Sequence, residues 1–262
     1  MATQPPANLP LFYKNLTPLS SQLHAKFTSR SSDKAPYFAN THAVPLTVDE
    51  FILAQRFFPI VFSVGDDPVP LGLFGLNEGV NVYVDEEGKL KQEMYVPAYV
   101  RRYPWMLAKL RPDSDELSLC FDPDSDLVAE QEEGLALFDG DKPSEATRQI
   151  LSFCEDFERA AQRTNAFVRE VKEMELLMEG EVSIQLNEGD QPYIYRGFQM
   201  VNEEKLRELR GDTLRKINQS GLLGFIYAHL FSLNHVRELF GKQLALGKIP
   251  GREAPAPAPA NA

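Results

Sequence analysis

Apolar residues along this chain change their spacing near residue 142. Before that point they come in short runs bounded by turn residues, and after it they recur at intervals of three and four. Short β-branched and aromatic runs between Gly, Pro, Asn and Asp clusters read as strands. Segments 59–64 (PIVFSV) and 69–76 (VPLGLFGL) flank Gly65, Asp66, Asp67 and Pro68, which predicts a hairpin. Residues 77–79 lead to a further strand at 80–84, and 85–88 turn the chain into another at 89–95. Successive strands with short connections form an antiparallel meander. Gly72 and Gly75 inside a strand indicate a bulge or a close backbone approach. Residues 117–121 (LSLCF) are strand-like, and 135–138 add a short edge strand.

In the second half Ile150, Phe153, Phe157, Ala160, Thr164, Phe167, Val171, Met174 and Leu177 mark one long amphipathic helix over 145–178. Ser144 is its expected N-cap and Gly180 its stop. Segments 182–186 and 193–201 predict a second hairpin. Asn202 is placed to cap a helix at 203–210, Asp212 to cap one at 213–219, and a last helix covers 222–246. Thr47 and Glu50 have capping-box spacing at the start of a short helix. The expected fold is therefore α+β, with an antiparallel meander in the first half and long amphipathic helices plus a small hairpin in the second. Residues 1–40 read as an irregular arm that frays at 1–10, and 41–247 as the folded domain, with a boundary near 142 as the alternative organisation. Residues 248–262, carrying APAPAPA, read as a disordered Ala/Pro tail.

Composition narrows the function classes. The chain has 262 residues, with 43% hydrophobic and 25% charged residues, which suits a folded, soluble protein with a sizeable core. A net charge of −11 argues against nucleic acid or an anionic membrane surface as the main partner. The apolar run at 222–233 is too short to span a bilayer and the N-terminus lacks a secretory pattern, so a cytoplasmic location is expected. The 2 cysteines, Cys120 and Cys154, have no zinc-like spacing, and a reduced state is the simpler reading. No nucleotide-binding, nucleophile-elbow or zincin motif occurs. Residues 122–126 alternate acids without the glycine and glutamate of a calcium loop, so they read as an acidic turn. No metal and no cofactor is expected.

The densest recognition-type stretch is 95–105, YVPAYVRRYPW. Tyr95, Tyr99, Tyr103 and Trp105 offer large apolar bodies with polar tips, and Arg101 and Arg102 can fork onto a carboxylate or phosphate. Pro97 suits a helix start, and a turn over 98–103 would put Tyr99 and Tyr103 on one face with the arginines pointing in different directions. Two readings stay open: a corner that locks a loop onto the core, or an aromatic-walled clamp for an acidic group on a peptide or protein partner. Weaker candidates are His42, Glu50, Asp122 and His229. They serve an alternative in which a histidine base and an arginine clamp act on a small acid or amino-acid derivative. A buried, hydrogen-bonded histidine is the default for His229 on its apolar helix.

The succession HAVPLTVDEF, FFPIVFSV, PLGLFGL, NVYVD, YVPAYVRRYPW, LCFD, GFQMVNEEKL and YAHLFSL resembles the bacterial SapC family from about residue 42 to 233, with YVPAYVRRYP its most specific part. The Ser-rich arm and the Ala/Pro tail lie outside that resemblance. The family takes its label from surface-layer genes and is distinct from the peptide-transporter permease of the same name. The resemblance implies a soluble proteobacterial protein. Genes of such relatives lie near those of outer-membrane receptors, halogenase-like flavoproteins and cupin-like oxygenases. That setting implies an accessory to nutrient uptake or peptide modification, and it supplies no catalytic residues. A structural surface-layer component is the remaining reading.

Overall fold

The computed structural model describes residues 9–249 except 92, 112, 114 and 188. The expected fraying of the first residues and disorder of the Ala/Pro tail fall largely outside these. Two short strands, β1 (Thr17–Pro18) and β2 (Thr28–Ser29), lie in the N-terminal arm, followed by β3 (Ala43–Pro45) and the one-turn helix α1 (Phe51–Ala54). The predicted hairpin is β4 (Ile60–Ser63) and β5 (Pro70–Leu73). Helix α2 (Ala98–Arg102) precedes β6 (Trp105–Lys109) and β7 (Leu117–Phe121). The short pieces β8 (Val128–Ala129), β9 (Leu135–Ala136), β10 (Phe138–Asp139) and β11 (Lys142–Pro143) lead into the long helix α3 (Glu145–Glu173). The second hairpin is β12 (Leu177–Ile184) and β13 (Tyr193–Val201), and the chain closes with α4 (Glu203–Arg207), α5 (Gly211–Gln219), α6 (Leu222–Ser232) and α7 (His235–Ala245).

The fold is α+β, but its main sheet is not a plain meander. Its antiparallel order is β12-β13-β4-β5-β3, so the late hairpin continues the early one through Phe198 opposite Ser63. Among the described residues, 80–84 and 89–95 do not join as strands; an isolated bridge links Val84 to Leu90 and another Lys34 to Lys89. The buried Asn81 explains the departure. Its amide donates to the Phe38 and Thr41 carbonyls and accepts from the Tyr83 N–H, so a side chain takes the bonds a ladder would use. Gly75 is the close approach that its position in the strand implied: a Cβ there would lie 2.0 Å from the Val80 carbonyl oxygen.

The arm is woven in rather than laid over. β1 pairs with β7 in the sheet β1-β7-β6, and β2 lies between β8 and β9. Helix α3 is about 43 Å long at 1.5 Å per residue and serves two apolar clusters. Its first turns reach Trp105, Phe121 and Leu137 through Ile150, Leu151 and Cys154, and its later turns bring Phe167, Val168 and Val171 to Phe51, Phe62 and Ile226. Ser144 caps it, accepting from the Thr147 N–H at 3.2 Å. The helix ends before the expected residue 178 because Glu175 turns left-handed (φ 54°) and Leu177 already starts β12.

Asn202 caps α4 as expected, whereas Asp212 sits inside the first turn of α5, whose N-cap is Arg210. The predicted last helix breaks into α6 and α7. Ser232 and Asn234 side chains bond back to the carbonyls of His229 and Phe231, offering the backbone an alternative to a continuous helix. Among the described residues no helix is long and apolar enough to cross a membrane.

Candidate functional site

The 95–105 corner begins with Glu50. Its Oε2 accepts from the Thr47 N–H and hydroxyl, both at 2.8 Å, and its Oε1 accepts from the Ala98 N–H at 2.7 Å and the Tyr95 hydroxyl at 3.0 Å. This buried carboxylate therefore ties the turn before α1 to the first turn of α2. Pro97 is the N-cap of α2 rather than its first residue. Tyr103 leaves the helix with φ −58° and ψ 135°, as a residue before proline tends to. Tyr99 and Tyr103 therefore do not share a helical face, although both rings meet Phe12 of the arm, at 5.7 and 6.3 Å.

The tyrosine tips are used by the fold. Tyr99 donates to the Leu11 carbonyl and Tyr37 to the Val100 carbonyl, while Tyr13 donates to the Trp105 carbonyl at 2.6 Å. Burial pushes the Tyr95 hydroxyl up to about 12, with the Glu50 carboxylate adding to the rise and Arg101 opposing it. Burial likewise raises Tyr99 and Tyr103, and for Tyr103 the Asp122 carboxylate adds to it. Phe12, Tyr13 and Tyr37, which build the other wall of this aromatic layer, were not singled out in the sequence. Their only signal was an aromatic cluster in an otherwise polar arm.

The two adjacent arginines have different surroundings. Arg102 is buried (5% exposed), with its guanidinium 4.2 Å from the Phe157 ring centre, 5.1 Å from Tyr99 and 5.8 Å from Tyr13. Its Nη1 lies 3.5 Å from Glu158 Oε1, and its buried Nε has no hydrogen-bond partner among the described residues. Arg101 is exposed. Its Nε donates to the Val96 carbonyl at 3.0 Å and an Nη to the Tyr95 hydroxyl at 3.4 Å, and its guanidinium lies over the Phe153 and Tyr95 rings. Among the described residues no carboxylate pairs with it. Arg101 is thus oriented by backbone and rings with its charge left open.

Arg101 lines three adjoining cavities. The largest, about 790 Å³, is an open basin between Ser29–Ser31, Leu135, Gln149, Phe153 and Trp105. The second, about 450 Å³, runs beneath residues 29–35 and is walled by Tyr37, Val84, Leu90, Val100, Tyr103 and Trp105. The third, about 310 Å³, carries Asp49, Glu50, Asp156 and Arg163. The other cations at these cavities are paired: Arg30 with Asp126, Lys34 with Glu87 and Arg163 with Asp49.

The remaining candidates lie elsewhere or serve structure. Asp122 is buried and accepts from the N–H groups of Lys14 (2.7 Å) and Asp124 (3.0 Å), which fastens the arm. His42 lines a separate cavity of about 130 Å³ with Tyr195 and Phe198. His229 is fully buried between Ile60 and Val201, and burial lowers its imidazole to about 4. None of the three cavities at Arg101 is lined by a histidine. His42 and His229 are thus not brought together with Arg101 around one of these cavities. Cys120 and Cys154 are free, buried thiols. Among the described residues no group of three or more His, Cys, Asp or Glu side chains is arranged to hold a metal.

The family model described as SapC matches residues 19–239. The match takes in the Ser-rich arm that the motif resemblance left out, and with it the strap over the second cavity. No curated protein and no solved structure matches the chain.

Proposed function

The chain belongs to the SapC family, and from that premise we propose that it is a binding protein that holds a peptide or protein partner by an acidic group at Arg101. The observation that carries this reading is one cation, held in place by the Val96 carbonyl, Tyr95 and Phe153 yet unpaired with any described carboxylate, at the meeting point of three cavities. In a chain of net charge −11, an arginine fixed in position without an acid is suited to an external carboxylate. Arg102 lines the basin and Tyr103 the second cavity, and Glu50 positions Arg101 through Tyr95. The role as an accessory to nutrient uptake or peptide modification belongs to the same proposal.

The test is affinity purification from the native host with wild type and Arg101→Ala, followed by reconstitution with the purified partner. A stoichiometric partner that binds wild type and is lost in a folded Arg101→Ala protein supports the reading. Identical partners at identical yield would sink it.

A further inference from the structure

We infer that the Arg101 groove takes the free C-terminal carboxylate of a peptide whose last side chain is large and apolar. The inference rests on the binding role proposed above and specifies its ligand. The basin and the strapped cavity share Ser29, Arg30, Ser31, Arg101, Trp105 and Ile150, so Arg101 stands where one opens into the other. A carboxylate on Arg101 lies within one Cα of the last side chain. That side chain then enters the strapped cavity, whose walls are mainly apolar and whose volume of about 450 Å³ falls among small-ligand sites. The preceding residues leave through the open basin, which has room for a chain.

A terminal carboxylate fits this layout better than an internal Asp or Glu. An internal acid brings backbone running both ways, and one arm of it would pass along apolar walls with its N–H and C=O groups unpaired. A chain end sends a side chain inward and keeps its backbone in the basin. Ser29 ends β2 and Ser31 follows two residues on, and both residues line the two cavities. The two serines are thus placed as donors to the second carboxylate oxygen or to the adjacent peptide.

Trp105 is the single tryptophan of the chain and lines both cavities, so its emission reports occupancy without a label. The full chain is titrated with a short peptide ending in phenylalanine, with its C-terminal amide, and with an amidated peptide carrying an internal glutamate. Calorimetry runs in parallel. The free acid is expected to bind at least tenfold more tightly than its amide, with the difference abolished in Arg101→Ala and circular dichroism showing that variant folded. Equal affinity of acid and amide, or no heat and no emission change with either, overturns the inference. Arg101-dependent binding of the internal-glutamate peptide alone overturns it too, while leaving the binding role standing. Unchanged host partners in Arg101→Ala would instead remove the binding role itself.

Discussion

His229 joins α6 to the centre of the main sheet, and its titration should weaken this fold as the pH falls. The imidazole Nδ1 lies 2.7 Å from the Ile60 carbonyl and Nε2 accepts from the Val201 N–H at 3.0 Å. Those two contacts fix the neutral ring with its proton on Nδ1. Ser232, one turn on, accepts from the Ile60 N–H at 2.8 Å, so one helix satisfies both backbone groups of a residue in β4. Protonation at Nε2 would break the Val201 bond and place a charge in the core. Burial accordingly lowers the ring from 6.5 to about 4, with the Ile60 bond opposing the shift. Between those two values the unfolded chain takes up a proton that the folded chain does not. Stability therefore falls as pH drops through this window, and the contribution is gone below about pH 4. Linkage gives a loss of about 2 kcal/mol at pH 5 and about 3 kcal/mol at pH 4 relative to pH 8. Urea unfolding at pH 8, 7, 6 and 5, followed by Trp105 emission and far-UV circular dichroism, measures it. His229→Gln keeps an acceptor and a donor without titrating, and carboxylate titrations act alike in both proteins. The difference in stability between the two should close by about 2 kcal/mol from pH 8 to pH 5. Parallel pH profiles would refute the reasoning.

The arginine pair should separate stability from binding. Arg102→Leu is expected to cost about 2–4 kcal/mol in urea unfolding, because its guanidinium packs on three rings and ties them to Glu158. Arg101→Ala should change stability by no more than about 0.5 kcal/mol; a reversed order would contradict the burial of Arg102. Gly75→Ala drives a methyl into the Val80 carbonyl and should destabilise by roughly 2–3 kcal/mol, with a neutral result excluding that contact. Burial pushes the Cys120 and Cys154 thiols up to about 11 and about 12, so iodoacetamide at pH 7.5 should leave both unmodified in the folded protein and label both in urea. Rapid labelling of either thiol in the native state, read by mass spectrometry, would contradict its placement.

By itself the sequence determined the parts whose signals are local. Helix α3 was legible because Ser144 caps it and its apolar residues repeat at three and four. The hairpins at 59–76 and 182–201 were legible from turn residues between apolar runs, and the Thr47–Glu50 pairing from its spacing. The 95–105 corner stood out through its side-chain types. Tertiary structure alone decided how these parts are used. That β13 pairs with β4 depends on residues more than a hundred positions apart. Asn81 withdrew 80–84 from the sheet through carbonyls some forty residues away. Arg101 and Arg102 are neighbours in sequence and about 100° apart around a helix, so only packing against Tyr13 and Phe157 settles which one is enclosed. Two of the cavities at Arg101 take part of their walls from an arm read as an irregular covering, whose strand β2 is stitched between β8 and β9 and whose residues 29–35 line the second cavity. Periodicity reports which face of an element is apolar. Which charge stays open to a ligand depends on what long-range packing brings against that face.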